Sequence, residues 1–187
     1  MKQNSTLIPK PGLIKKLFQN RLYATLILIL LLCFSVLSVF LNSSMEKLFR
    51  ENYLPYEVRV TRGISGSSPL KEEYKKGNKD SVIWEFNTLN SPQPEEFLLA
   101  GIAFLESNQT AKAIKTFNTL IEKNALANSD YFEEDAEYYL AMSYLKNQEF
   151  EKALPIFEKI QADPEHPYNS NVSDWFLLQM KTSIAKK

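Results

Sequence analysis

The chain is poor in the residues that carry most enzyme chemistry. Of its 187 residues one is a cysteine, Cys33, and one a histidine, His166. A single cysteine rules out an internal disulfide framework. A histidine-based metal site or a catalytic triad needs partners around His166 that its loop, ADPEHPY, does not supply, and that loop reads as solvated. There are five glycines, none in a phosphate-binding loop, and neither HExxH nor G-x-S-x-G is present. The expectation is a protein that is not an enzyme, with no cofactor, metal or small-molecule substrate.

Acid is missing from one end. Residues 1–45 hold Lys2, Lys10, Lys15, Lys16 and Arg21 and no Asp or Glu, so a net charge of zero hides a basic head and a mildly acidic body. That body has no basic block able to neutralise a phosphate backbone, which argues against a nucleic-acid partner.

Charge is also absent from LYATLILILLLCFSVLSVFL, residues 22–41. At about 1.5 Å per residue such a run spans the roughly 30 Å hydrocarbon core of a bilayer. It is longer than a cleaved signal's apolar region, and LNSSME offers no convincing cleavage pair. Leu32 before Cys33 departs from a lipobox. Residues 22–41 therefore read as an uncleaved transmembrane helix. Lys15, Lys16 and Arg21 place the basic head, residues 1–21, in the cytoplasm and the body outside it.

Residues 42–69 read as a juxtamembrane segment and linker. Tyr56, Val58 and Val60 alternate with charged residues, which suggests a short extended stretch, and GISGSSP at 63–69 reads as a hinge.

From Leu70 onward the period is helical and a spacing recurs. Phe97, Ala100, Gly101, Phe104, Ala113, Phe117 and Leu120 form one frame; Leu140, Ala141, Tyr144, Ala153, Phe157 and Ile160 repeat it about 40 residues later. Two antiparallel helices approach closely only where small side chains face each other, so Gly101 with Ala113, and Ala141 with Ala153, are expected at tight crossings. EKALPIFEKI, residues 151–160, belongs to this frame despite Pro155. Its helix is expected to begin near Glu149 and to bend between Glu151 and Pro155.

The frame resembles the tetratricopeptide repeat, W-x2-L-G-x2-Y…A-x3-F…P over about 34 residues. Repeats at 94–124 and 134–165 carry the match. Glu137 stands where the family has an aromatic residue, and six extra residues fall in NALANSDYFEED. Residues 70–91 look like a degenerate copy, through Tyr74, Val82, Phe86 and Leu89. Residues 172–186 look like a capping helix with Trp175 and Leu178 on one face. The implied fold is all-α: an N-terminal transmembrane helix followed by a short tetratricopeptide-like solenoid of helical hairpins, similar to membrane-anchored bacterial repeat proteins.

The resemblance implies a partner-binding groove on the concave face, lined by the first helix of each pair: Leu98, Ile102 and Leu105, then Tyr138, Met142, Leu145 and Lys146. These positions lack the Lys, Asn and Arg clamp that grips acidic tails in some members, so an apolar or aromatic segment of a protein or peptide is the expected ligand. The leading expectation is a scaffold or assembly adaptor, single-pass in the inner (cytoplasmic) membrane, with an envelope protein as partner. Envelope signalling and an organelle outer-membrane receptor with cytosolic repeats are the alternatives. The acids at 130–135 read as a helix start, where the macrodipole favours them.

Overall fold

The computed structural model describes residues 23, 25–35, 46–58 and 68–185. Among them every regular element is helical. Two compact units form, Met1–Ser44 and Met45–Lys187. In the first unit, residues 25–35 are helical, and Leu26 through Leu32 are exposed along that length. Among the described residues no helix is long and apolar enough to cross a membrane. The basic head at 1–21, residues 36–41 of the apolar run and most of GISGSSP lie outside the described residues.

The second unit opens with a short helix at 46–52, called α1, followed by irregular chain at 53–58. Helices α2 (Pro69–Lys75), α3 (Lys79–Thr88), α4 (Pro94–Glu106), α5 (Thr110–Ala127), α6 (Glu133–Lys146), α7 (Phe150–Ala162) and α8 (Asp174–Ile184) follow. Sequence explains several of these ends. Pro94 occupies the first turn of α4, and Gln93 and Glu96 close a capping box there. Glu133, Glu134 and Asp135 supply negative charge to the first turn of α6. Ser173 caps α8 by accepting from the Phe176 N–H.

One turn geometry joins α2 to α3, α4 to α5, and α6 to α7. Its central residue is left-handed each time: Gly77 at φ 74°, Asn108 at φ 59° and Gln148 at φ 61°. The following N–H then reaches back five residues, Asn78 to the Glu73 carbonyl, Gln109 to Phe104 and Glu149 to Tyr144, at 2.8–3.0 Å. These bonds satisfy helix-end carbonyls in the Schellman manner. The shared turn makes residues 69–88 a third hairpin of the same kind, although their side chains keep little of the frame.

The inner and outer helices differ in burial. In α4 every residue from Phe97 to Leu105 is buried, and α6 buries nearly as much. Helices apolar all round have to be covered on all sides. By contrast α5 buries one stripe, Ala113, Thr116, Phe117, Leu120 and Asn124, and α7 another, Phe150, Ala153, Phe157 and Ile160.

At the crossing of α4 and α5, a Cβ on Gly101 would fall 2.5 Å from the Phe117 ring, so the glycine makes room for that aromatic side chain. Ala113 is fully buried nearby in the frame. The six extra residues lengthen α5 to 18 residues. Buried Asn124 then stitches the connection, donating to the Tyr131 carbonyl and accepting from the Ser129 hydroxyl.

The cap is also turned from its expected orientation. Helix α8 presents Phe176, Leu177 and Met180 inward, with the Phe176 ring edge-on to Phe157 at 4.8 Å. Trp175 and Leu178 are exposed instead, at 66 % and 50 %. Both stripes of this helix are apolar, and the edge-on packing of Phe176 against Phe157 selects one of them.

Candidate partner-binding site

The concave face is built from α4 and α6. Leu98, Ile102, Leu105, Tyr138, Met142 and Leu145 are no more than 2 % exposed, and Lys146 is half-buried. The structure brings the two sets of predicted residues together, with Lys146 Nζ donating to the Leu105 carbonyl at 3.1 Å. It does not leave them open. Burial pulls the Lys146 ammonium below the ordinary lysine value, while Glu46 and Glu106 oppose that shift.

Part of the cover comes from residues 46–58, which the sequence reading assigned to a linker. The Tyr138 hydroxyl donates to the Asn52 carbonyl and accepts from the Leu54 N–H at 3.2 Å. The Tyr139 hydroxyl donates to the Leu54 carbonyl at 2.8 Å, and that of Tyr74 to the Tyr56 carbonyl at 3.3 Å. Tyr53 reaches the Glu106 carboxylate at 2.6 Å, and Glu106 also pairs with Lys79 of α3 at 3.1 Å. Lys146 Nζ sits 4.6 Å from the centre of the Phe49 ring, a cation–π contact. Residues 46–58 therefore act as a strap, with Leu48, Phe49 and Tyr56 buried along it.

Aromatic rings fill the space between strap and helices. Tyr139 meets Tyr53 and Tyr56 edge-on at 6.0 and 6.1 Å, and lies 6.2 Å from Phe117 in a stacked pair. Tyr168, from the α7–α8 connection, stacks on Tyr138 at 4.0 Å and donates to buried Asp135. Burial pushes the phenols of Tyr53, Tyr74, Tyr138, Tyr139 and Tyr168 well above the ordinary tyrosine value.

His166, expected on a solvated loop, is buried beside this cluster. Its Nδ1 accepts from the Tyr168 N–H at 3.2 Å, which makes Nε2 the protonated nitrogen, and Nε2 has no partner among the described residues. The ring packs near Tyr168 at 5.9 Å and helps fold the α7–α8 connection under the cap.

Residues 97–125 and 135–166 match the family model of the tetratricopeptide repeat. The two central hairpins are thus similar to tetratricopeptide repeats. No curated protein and no solved structure matches the chain. In the first repeat the small motif position Gly101 lies against the ring of the aromatic motif position Phe117. In the second, Glu137 replaces the motif aromatic and pairs with Lys159 of α7. Tyr144 is only half-buried, its ring beneath the Lys152 ammonium at 5.4 Å.

The residues that sequence reading missed at this site are Asn52, Tyr53, Leu54 and Tyr56 on the strap, and Tyr74, Tyr139 and Tyr168 facing it. A signal existed in FLLAGIAFL, the stretch 97–105 of the first repeat. It has no polar face, so a groove built on it needs an occupant.

Proposed function

We propose that the chain is a membrane-anchored scaffold that presents its tetratricopeptide hairpins on the extracytoplasmic side and holds or assists another envelope protein. The observation that carries the scaffold reading is the run of three hairpins with one turn geometry, two of them matching a repeat family that binds protein partners. Anchoring is supported by the uncharged run at 22–41 and by the exposed leucines and isoleucines of its helical residues 25–35. Orientation is supported by Lys15, Lys16 and Arg21 before that run. The reading is non-catalytic.

Photo-crosslinking in cells from exposed Trp175 and Trp84, each replaced by a photoreactive residue, with mass spectrometry of the adducts, tests it. A reproducible envelope-protein adduct is the expected result. Absence of any protein adduct would overturn the scaffold. Protease treatment of intact cells and spheroplasts tests topology: cleavage within 68–185 only after the inner membrane is breached would overturn the extracytoplasmic placement.

A further inference from the structure

We propose that residues 46–58 are a built-in ligand of the concave face, and that the protein partner engages this face by presenting an extended, tyrosine-bearing segment in their place. The existence of a partner rests on the scaffold reading above; the chemistry of the site rests on the strap itself.

The helices grip the strap as a receptor grips a peptide. Four hydrogen bonds join the hydroxyls of Tyr74, Tyr138 and Tyr139 to main-chain groups of Asn52, Leu54 and Tyr56, three donated by the hydroxyls and one by the Leu54 N–H, and any chain can offer such groups. Main-chain bonds of this kind supply affinity, and side-chain pockets supply selectivity. The selective positions are Tyr53 and Tyr56, three apart. Tyr53 stacks on Phe49 at 5.1 Å and ends on the Glu106 carboxylate; Tyr56 lies edge-on between Tyr74 and Tyr139. Pro55 between them holds the backbone extended.

Residues 53–58 contribute little to their own order. They have no regular secondary structure, and their only main-chain bond to another main-chain group among the described residues is Tyr53 N–H to the Phe49 carbonyl. The receptor therefore imposes the conformation, as it would on a peptide supplied from outside.

The fit also leaves something to gain. A cavity of about 310 Å³ remains between the strap residues Leu54, Pro55, Tyr56 and Glu57 and the opposing Pro167 and Tyr168. The strap belongs to the same chain as the helices, so it competes intramolecularly, at an effective concentration on the order of mM. A free copy of the same segment competes poorly against that, and a partner succeeds by filling the cavity that the strap leaves.

The test uses full-length protein in detergent micelles and a fluorescent peptide of residues 46–58, read by anisotropy. The paired substitution Tyr53→Ala and Tyr56→Ala weakens the strap and leaves the receptor intact. This variant is expected to keep its helical circular dichroism and to bind the peptide at least tenfold more tightly than the wild type. A peptide with alanine at both tyrosines is expected not to bind, and Tyr138→Phe added to the variant lowers binding severalfold. A folded variant with no gain in binding would overturn the proposal, as would equal binding of the alanine peptide. Loss of helical signal in the variant would also overturn it, making 46–58 a permanent part of the core. A wild-type dimer dissolved by the peptide would do the same, because a second copy's strap would then be the occupant. None of these failures touches the scaffold reading, whose crosslinks are taken from positions 84 and 175 with the strap unaltered.

Discussion

The Tyr139 hydroxyl donates to the Leu54 carbonyl at 2.8 Å across 85 residues of sequence. This bond and those of Tyr138 hold the strap against the repeats, and Tyr139 makes two separable contributions. Tyr139→Phe keeps the ring against Phe117, Tyr53 and Tyr56 and leaves one carbonyl unpaired. Its expected cost is about 1–2 kcal/mol. Tyr139→Ala removes the ring as well and is expected to cost about 3–5 kcal/mol. Urea unfolding followed by circular dichroism measures both. Equal losses for the two variants would show that the hydroxyl, not the packing, dominates.

Gly101 and Phe117 form the second telling pair. Alanine at 101 gains about 1 kcal/mol of helix propensity in isolation. Here its Cβ would lie within 3 Å of three atoms of a fully buried ring, which has no space to swing away. Overpacking of this kind costs about 1–3 kcal/mol, so Gly101→Ala is expected to lose the propensity gain and destabilise by up to about 2 kcal/mol net. Phe117→Leu in the same chain should recover part of that loss. A double-mutant cycle with no coupling would refute the contact.

The hairpins were legible because their information is local. Gly101, Ala113 and Phe117 lie within one repeat, as do Ala141, Ala153 and Phe157 within the next, and a steric rule fixes their spacing. The covered groove was not legible, because the strap acts largely through main-chain groups of Asn52 and Leu54, which carry no residue signature at a distance of more than eighty positions. Its effect on the receptor did leave a trace in the uninterrupted apolar stretch 97–105. Trp175 shows a different limit. Periodicity placed it on an apolar stripe correctly, but α8 has two such stripes, and only the meeting of Phe176 with Phe157 chooses between them. His166 was misplaced because a Pro-rich loop usually faces water, whereas here Tyr168 folds it inward.

Alkaline pH should open the strap side of the molecule. Burial raises the phenols of Tyr53, Tyr74, Tyr138, Tyr139 and Tyr168, so the folded chain keeps these protons where the unfolded chain loses them. Stability is then complete below about pH 10 and falls as pH rises above it, each phenol contributing up to about 1.4 kcal/mol per pH unit. Tyrosinate absorbance is expected to rise in two phases, the second coinciding with loss of helical circular dichroism. A smooth single titration with helix intact at its end would contradict this cluster's burial.

Pro155 sits inside α7, exposed, with Ala153 and Phe157 turned inward on either side. The helix runs through it, from Phe150 with Glu149 as its N-terminal flank, so the proline costs one N–H bond to the Glu151 carbonyl and a contact with that same group. Position 155 is in the second turn, where the preceding chain is free to adjust, and the cost is below the roughly 3 kcal/mol of a mid-helix site. Against it stands the stiffness proline lends the unfolded chain, about 0.4–1 kcal/mol. Pro155→Ala is therefore expected to stabilise the protein by about 1 kcal/mol, seen as a higher urea midpoint at an unchanged slope. A lower midpoint would mean that the proline's ring packs against half-buried Leu154 or Ile156 and holds α7 in place.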